Sequence, residues 1–248
     1  LTGSIPASIG NLTQLRMLTL ERNRLQGHLP PSLGKLTRLE AIALGNNHLT
    51  GTFPSALSGM QSLQHLLIPF NRISGSLPSS FSALTAMATF NVWNNSLDGP
   101  VPDFLCDMPA LFVDLSHNLV TGALPPRLSN ITNLQFLYLN DNFLTGTVPT
   151  SYAQLPMLTL LLLQYNQLTG PIHRVPTCLF ALPNLTTLHL SGNSLSGNLG
   201  SYSELVLGDK LIDLALSHNV LTGRIPRAIQ QRVFYSLDLS YNRLTGTL

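Results

Sequence analysis

The stretch Leu-Thr-Leu-Glu-Arg-Asn-Arg-Leu-Gln-Gly-His-Leu-Pro, residues 18–30, carries the pattern that decides the fold of this 248-residue chain. Its form is Leu-x-Leu-x-x-Asn-x-Leu-x-Gly-x-Leu/Ile-Pro, and successive copies of its asparagine lie 23 to 27 residues apart. A glycine follows each asparagine four residues later. The asparagines are Asn23, Asn47, Asn71, Asn95, Asn118, Asn142, Asn166, Asn193, Asn219 and Asn242. A coincidence repeated ten times identifies a repeat protein with one structural unit per repeat.

Each position of the repeat has a physical task. The alternation in Met17-Leu18-Thr19-Leu20 predicts a short strand with Leu18 and Leu20 pointing inward and Thr19 pointing outward. The asparagine follows the strand, where its amide can bond backbone groups that no strand partner reaches, so we expect the ten side chains to form a ladder. The glycine permits a bend that other residues resist, and a proline three residues later begins the opposite arm.

One repeat cannot bury its leucines alone, so stacked repeats must share one continuous core. The sequence therefore predicts an α/β-class leucine-rich solenoid of ten repeats of about 24 residues. We expect a parallel β-sheet on its concave face and irregular or 3-10 arms on its convex face. The repeat runs through the whole sequence, so we expect a single domain over residues 1–248.

The composition excludes several other classes of protein. Charged residues make up 10% of the chain, and the net charge is +2. A nucleic-acid partner that requires a basic face is therefore not expected. The 53 leucines exclude a disordered chain, whereas 18 glycines, 17 prolines and 19 asparagines argue against a helical bundle. No apolar run approaches the ~18 residues of a membrane span, so membrane attachment is expected only through segments outside this chain.

The phrases Gly3-Ser4-Ile5-Pro6, Gly27-His28-Leu29-Pro30 and Gly223-Arg224-Ile225-Pro226 resemble the consensus of plant-type leucine-rich repeat proteins. This family includes ectodomains of receptor-like kinases, receptor-like proteins without a kinase and secreted polygalacturonase-inhibiting proteins, and protist surface antigens have similar repeats. The resemblance implies an extracellular recognition module that binds a protein, peptide or glycan ligand, with a possible co-receptor and no cofactor. Its alternatives are a secreted inhibitor of a foreign hydrolase and a surface adhesion or coat antigen.

Two further features bear on the protein's location. The chain begins within one repeat and ends within another, and the paired-cysteine caps usual in the resembled family are missing, so we expect an uncapped fragment of a longer protein. Any kinase domain would lie outside this chain. Sequons for glycosylation occur at Asn11, Asn94, Asn130 and Asn184. Together with the resemblance they predict a secreted protein or one on the extracellular face of the plasma membrane.

Large apolar and aromatic side chains occupy outward positions of the middle repeats, where core packing does not explain them. We predict that they form a ligand-binding concave patch, in which Asp114 and Asp141 select a positive or hydrogen-bond-donating group. The patch residues are His65, Leu67, Phe70, Trp93, Phe112, Asp114, Phe136, Tyr138, Asp141, Leu160, Leu162 and Tyr165. Asn140, also outward, is expected to face solvent.

No catalytic or metal site is predicted. Asp114, Ser116 and His117 share one strand, and neighbours on a flat strand cannot supply the geometry of a catalytic triad. His189, Asp213 and His218 could approach one another across two strands, but solvated polar positions explain them more simply than a metal does. The sequence therefore predicts a binding protein and not an enzyme.

Overall fold

The computed structural model describes residues 1–172, 177–199 and 205–246. The side chains of Thr177 and Cys178 are outside this description. By its internal contacts the chain divides into two compact units, Leu1–Thr121 and Gly122–Leu248, which we call unit 1 and unit 2. The expectation of one uncapped solenoid over residues 1–248 stays a prediction.

Unit 1 contains two parallel sheets built from alternate strands. Its strands are β1 Thr2–Gly3, β2 Met17–Thr19, β3 Arg24–His28, β4 Ala41–Ala43, β5 His48–Gly51, β6 His65–Leu67, β7 Arg72–Gly75, β8 Thr89–Asn91, β9 Ser96–Leu97 and β10 Phe112–Asp114. The even-numbered strands form the sheet predicted for the concave face, which we call the front sheet, in the order β2-β4-β6-β8-β10. The odd-numbered strands form a second parallel sheet, the side sheet, in the order β1-β3-β5-β7-β9.

Unit 2 repeats this arrangement. Its strands, with one that begins at the unit boundary, are β11 Thr121–Ala123, β12 Phe136–Tyr138, β13 Phe143–Thr145, β14 Leu160–Leu162, β15 Thr169–Pro171, β16 Thr187–His189, β17 Ser194–Ser196, β18 Asp213–Ala215, β19 Thr222–Gly223, β20 Ser236–Asp238 and β21 Arg243–Leu244. Its front sheet has the parallel order β12-β14-β16-β18-β20. On the side, β15 pairs with β17 and β19 pairs with β21.

Short helices form the arms that connect the front strands to the rest of each repeat. The 3-10 helices are Ala7–Asn11, Pro31–Lys35, Ser55–Gly59, Ser79–Ala83, Asp103–Asp107, Pro126–Asn130 and Thr150–Gln154; the α-helices are α1 Thr177–Phe180 and α2 Arg227–Gln230. All seven 3-10 helices and α2 directly follow a proline whose φ lies between −76° and −61°. Proline therefore starts the arms as predicted. No helix in the described ranges has the length and apolar character needed to cross a membrane.

The predicted asparagine ladder is present in both units. Asn47 shows its geometry: Oδ1 accepts a hydrogen bond from the Leu25 N–H of the preceding repeat at 3.0 Å. Its Nδ2 donates to the Leu20 and Leu44 carbonyls at 2.9 and 3.0 Å. These bonds tie each repeat to its neighbour at a point where strand pairing has ended. The same set of three bonds is made by Asn95, Asn118, Asn166, Asn193, Asn219 and Asn242.

The backbone bends at two points in each repeat, and the sequence predicted only one of them. The ten glycines that follow the ladder asparagines all have positive φ, between 75° and 96°, as expected. The second bend falls on the residue directly before the asparagine, which has φ of 51° to 56° although it is not glycine. These residues are Arg22, Asn46, Phe70, Asn94, His117, Asp141, Tyr165, His218 and Tyr241. Only Gly192, at the same position, indicates this bend in the sequence.

The core of each unit consists of the inward leucines and their equivalents. Leu44 and Leu66 in unit 1 and Leu137 and Leu161 in unit 2 are fully buried. The predicted fold class, a leucine-rich repeat solenoid with a parallel front sheet and 3-10 arms, is confirmed within each unit. The side sheet was not predicted from the sequence. The alternation in Arg24-Leu25-Gln26, which places Leu25 inward and its neighbours outward, does indicate a strand there.

Candidate functional site

The predicted patch residues lie on the front sheets, and each unit holds half of them. In unit 1 the strand register places His65 beside Ala41 and Thr89, and Leu67 beside Ala43 and Asn91. Phe112 lies opposite Thr89 at the next strand. Small or polar neighbours therefore separate the large side chains in this half. His65 Nδ1 lies 3.1 Å from Thr89 Oγ1, within hydrogen-bond distance.

An aromatic cluster occupies the edge of the front sheet in unit 1. The Phe70 ring packs edge-on against Trp93, with ring centroids 4.3 Å apart, and Trp93 lies 6.0 Å from the His117 ring. The sequence identified Phe70 and Trp93 but not His117. Phe70 and His117 both occupy the left-handed position before the ladder asparagine, and that conformation aligns them along one edge.

Asp114 lies in the predicted patch but is turned toward its own strand end. It is 6% exposed, and its Oδ1 accepts hydrogen bonds from the Ser116 N–H at 2.9 Å and the Ser116 hydroxyl at 2.5 Å. Burial raises the pKa of Asp114 above its ordinary value, against the opposing effects of Ser116 and His117. Its neighbour across the sheet, Asn91, accepts an N–H from Trp93 at 3.1 Å in the same way. The contacts of Asp114 are therefore those of a strand-ending turn.

Unit 2 holds the continuous apolar part of the patch. Phe136 lies opposite Leu160, and Tyr138 lies opposite Leu162, on the neighbouring strands β12 and β14. All four side chains are half-buried, although they point away from the leucine core. Contiguous apolar side chains that face solvent are typical of a site of contact with another molecule.

Tyr165 extends this surface at the end of β14. Its side chain is 57% exposed, and its ring lies over the backbone of Gly192 on the next repeat. A Cβ at Gly192 would come within 2.5 Å of Tyr165 Cδ1, so the glycine leaves the space that the ring occupies. The aromatic ring is thereby held at the rim of the apolar surface and keeps most of its area open to solvent.

Two buried acceptors lie next to these apolar residues. Across the described ranges, neither Asn140 Oδ1 nor Gln164 Oε1 has a hydrogen-bond partner. Asn140 is only 6% exposed, so the expectation that it faces solvent is wrong. Asn140 lies two residues before the ladder asparagine, where the backbone leaves the strand. Ser116 and Ser191 are buried at the same position of their repeats. The Asn140 amide nitrogen donates to Asp141 Oδ2 at 2.7 Å, which leaves the carbonyl oxygen of Asn140 as the unsatisfied atom.

A histidine and an aspartate meet at the polar end of the front sheet of unit 2. His189 Nε2 lies 3.0 Å from Asp213 Oδ2 without hydrogen-bond geometry, and neither His189 Nε2 nor Asp213 Oδ1, both buried, has a hydrogen-bond partner among the described residues. The predicted approach of these two residues is therefore observed. His218, by contrast, stacks on the Tyr241 ring with centroids 4.1 Å apart. In the described part of the chain, no group of three His, Cys, Asp or Glu residues is placed to hold a metal ion.

The four sequons differ in accessibility. Asn11, Asn94 and Asn130 are exposed, and Asn11 and Asn130 end 3-10 helices of the arms. Asn184 is half-buried: its Nδ2 donates to the Pro156 carbonyl at 2.9 Å and its Oδ1 accepts from Lys210 Nζ at 2.8 Å. A glycan on Asn94 would stand beside Trp93, at the border of the aromatic cluster. Glycosylation at these positions stays a prediction.

Comparison with known proteins identifies the repeat. A leucine-rich repeat family profile matches residues 13–73, and a second one matches residues 133–155 and 184–203. No curated protein matches the chain. Many solved structures do.

Plant receptors are among these structures. The chain is 31% identical, with a TM-score of 0.88, to the Arabidopsis receptor kinase HAESA, solved with the peptide hormone IDA and the co-receptor SERK1. It is 30% identical, with a TM-score of 0.76, to the plant peptide hormone receptor RGFR1 in complex with RGF2. Both matches cover 100% of this chain, which spans only 41% and 47% of the respective receptor chains.

A plant ice-binding protein has the same fold. It is 25% identical, with a TM-score of 0.70, and the match covers 100% of this chain and 71% of that protein. The fold therefore accompanies more than one kind of recognition, and the function must be argued from the surfaces of this chain.

Proposed function

Because the chain belongs to the plant-type leucine-rich repeat family, we propose that it is the ligand-binding region of an extracellular receptor-like protein. Its ligand is a peptide that lies on the front sheet of unit 2. Two similar receptors, HAESA and RGFR1, were solved in complex with peptide hormones, which supports this class of ligand. The HAESA complex also contains a co-receptor, and we include a co-receptor as a second partner of this chain.

The observation that carries the proposal is the combination of apolar and acceptor groups on β12 and β14. Phe136, Tyr138, Leu160 and Leu162 offer a continuous apolar surface for side chains of a ligand. An extended peptide presents such side chains together with backbone N–H groups that require acceptors. Asn140 and Gln164, in the same two repeats, each hold a buried side-chain oxygen without a hydrogen-bond partner in the described chain, and a ligand N–H can reach that oxygen only when the side chain turns outward.

The chemistry at the other candidate positions supports binding rather than catalysis. The Ser116 hydroxyl donates to Asp114, so it is engaged in a turn and is not directed at a histidine. His189 and Asp213 contact each other across neighbouring strands of the front sheet of unit 2. The proposed role needs no cofactor, because all recognition groups are side chains of the front sheet.

A selection experiment tests the proposal. A random-peptide library is panned against the full chain and, in parallel, against a Tyr138→Ala/Leu162→Ala variant with unchanged melting temperature. We expect the wild-type chain to enrich peptides that combine a large apolar side chain with hydrogen-bond donors, and the variant to lose them. Equal enrichment by both proteins would reject the site. Inhibition of a fungal polygalacturonase by a chain that enriches no peptide would favour the inhibitor alternative instead.

A further inference from the structure

The aromatic cluster of unit 1 surrounds a predicted glycosylation site. Phe70, Asn94 and His117 occupy the left-handed position before the ladder asparagine in three successive repeats, with φ between 51° and 53°. The Phe70 N–H donates to the Trp93 carbonyl at 2.9 Å, and the Asn94 N–H donates to the Ser116 carbonyl at 3.0 Å. Equivalent residues of repeats aligned in this way direct their side chains alike. Asn94 therefore lies between the Phe70 and His117 side chains.

Trp93 joins the rings of the cluster into one surface. Its ring packs edge-on against Phe70, with centroids 4.3 Å apart, and lies 6.0 Å from the His117 ring. The Trp93 backbone is held in place as well, because its N–H donates to Asn91 Oδ1 at 3.1 Å. Phe70 is 37% exposed and Trp93 is half-buried, so part of each ring is open to solvent. The cluster is therefore an ordered aromatic surface directly beside Asn94.

The Asn94 side chain is available for modification. It is exposed, and no hydrogen bond to a described residue engages its amide. The adjacent Asn95 differs, because its Oδ1 accepts the Ile73 N–H at 3.0 Å and its Nδ2 donates to the Ile68 carbonyl at 2.9 Å. The sequon asparagine Asn184 is likewise bonded through both ends of its amide. Asn94 Nδ2 can therefore carry a sugar without loss of a structural hydrogen bond.

We propose that a glycan on Asn94 packs its first N-acetylglucosamine against Phe70 and Trp93. In the modification, Asn94 Nδ2 loses one proton and forms a bond to C1 of this sugar, while the bond from C1 to a lipid-linked pyrophosphate breaks and the lipid pyrophosphate leaves with the electron pair. The C–H face of a pyranose ring is apolar, so packing on an aromatic ring removes apolar surface from water. Because the rings and the attachment point are already ordered, the contact costs little conformational entropy.

This contact gives the aromatic cluster a different role from ligand binding. Contiguous exposed aromatic side chains indicate a surface that another group covers, and here the covering group is attached to the chain itself. The glycan withdraws Phe70 and Trp93 from the surface open to a ligand. The inference shares the extracellular location of the proposed function, because such glycans are added in the secretory pathway, but it does not rest on the peptide site of unit 2.

The fluorescence of Trp93 tests the contact directly, because Trp93 is the only tryptophan of the chain. The full chain is secreted from plant cells with high-mannose glycans, and mass spectrometry establishes that Asn94 is modified. Ser96→Ala removes the sequon and leaves Asn94 and the rings in place. The acrylamide quenching constant of the glycosylated chain should be roughly half that of Ser96→Ala, because the sugar covers the open face of the indole.

Two further samples assign this protection to the first sugar. Trimming with an endoglycosidase that leaves a single N-acetylglucosamine on Asn94 should preserve the low quenching constant. Thr13→Ala removes the sequon of Asn11 on the arm, and it should leave the quenching of Trp93 unchanged. These samples distinguish a packed first sugar from general shielding by glycan branches.

Melting temperatures test the contribution of Phe70. The glycosylated chain should melt about 2–4 °C above Ser96→Ala, the range expected for one aromatic contact in a chain of this size. In a Phe70→Ala background, the difference between the chains with and without the sequon should fall below about 1 °C.

An unmodified Asn94 in the secreted chain would overturn the inference. Equal quenching of the glycosylated chain and Ser96→Ala would also overturn it, as would loss of the protection after trimming to one sugar. An equal gain in melting temperature with and without the Phe70 ring would show that the sugar does not pack on that ring. None of these results depends on whether a peptide binds the front sheet of unit 2.

Discussion

Phe136 and Leu160 lie opposite each other on the parallel strands β12 and β14, with their side chains directed away from the leucine core. Tyr138 and Leu162 are paired in the same way, and the unsatisfied oxygens of Asn140 and Gln164 lie at the ends of these strands. A buried acceptor without a partner destabilises a folded protein, typically by about 1–3 kcal/mol. Such an arrangement is expected where a ligand supplies the missing donors.

The first prediction concerns the cost of one of these acceptors. Gln164→Met keeps the size of the side chain and removes its polar atoms, so it should raise the free energy of unfolding by about 1 kcal/mol. Chemical denaturation measures the change. The same substitution at the exposed Gln167 should alter stability by less than about 0.5 kcal/mol. A destabilised Gln164→Met protein would mean that the Gln164 side chain stabilises the fold, and would contradict an acceptor that is left unsatisfied without a ligand.

The ladder gives the second prediction. Asn166 joins the repeats through bonds with the Leu144 N–H and with the Leu139 and Leu163 carbonyls. Asn166→Ala leaves these buried groups without partners and should lower the free energy of unfolding by about 1–3 kcal/mol. Gln167→Ala, one residue further along the chain, is the matched control and should have almost no effect. Equal losses for the two variants would contradict the assigned repeat register.

A pair of glycines separates backbone strain from steric contact. Gly3 and Gly51 have similar φ values, 82° and 78°, but a Cβ at Gly3 meets nothing within 4 Å, whereas one at Gly51 meets the His28 ring at 2.5 Å. Gly3→Ala should therefore show only the conformational penalty of about 1 kcal/mol. Gly51→Ala should cost more, because His28 must also move. Thermal melts of both variants decide the order, and a larger loss at Gly3 would be inconsistent with the packing described.

Asp114 provides a prediction about pH. Burial raises the pKa of Asp114 above its ordinary value of 3.8, so the folded state holds the proton more tightly than the unfolded state. Wild-type stability attributable to this group therefore falls as pH rises from 3.8 through the folded-state pKa. Asp114→Asn removes this loss and keeps an oxygen to accept the bonds from Ser116, as Asn91 does for Trp93. Its stability relative to wild type should increase across that range of pH, measured by denaturation at stepped pH.

Asp238 is the control with the opposite sign. The hydrogen bond from the Ser240 hydroxyl is the largest of the effects that lower the pKa of Asp238 below 3.8, so its stabilising effect is present above that value and is lost as pH falls through the folded-state pKa. Asp238→Asn should therefore weaken the protein at neutral pH, and the difference from wild type should shrink in acid. The same pH dependence for both variants would contradict the distinct environments of the two carboxyls.

The sequence predicted the features that depend on the repeat itself. The ladder asparagines, the bend at glycine and the arm that follows proline each require one residue type at one position, so their repetition along the chain makes them recognisable in the sequence. The same register assigned Phe136 and Leu160 to the outward patch. The left-handed bend at Phe70 or Tyr165 was missed because no fixed residue type marks it. The burial of Asn140 was missed because alternation predicts only whether a side chain points inward or outward. It does not predict how closely an outward side chain is packed where the strand ends.

The measurement that tests the central claim most directly is the affinity of a library-selected peptide for single variants of the front sheet, determined by calorimetry. Phe136→Ala and Tyr138→Ala should each weaken binding by roughly 1–3 kcal/mol without lowering the melting temperature. Thr187→Ala on β16 and Ser236→Ala on β20, two other strands of the same sheet, should leave the affinity unchanged. Unchanged affinity in the Phe136 and Tyr138 variants, together with loss of binding on substitution of the arm residue Arg127, would contradict a ligand site on this sheet.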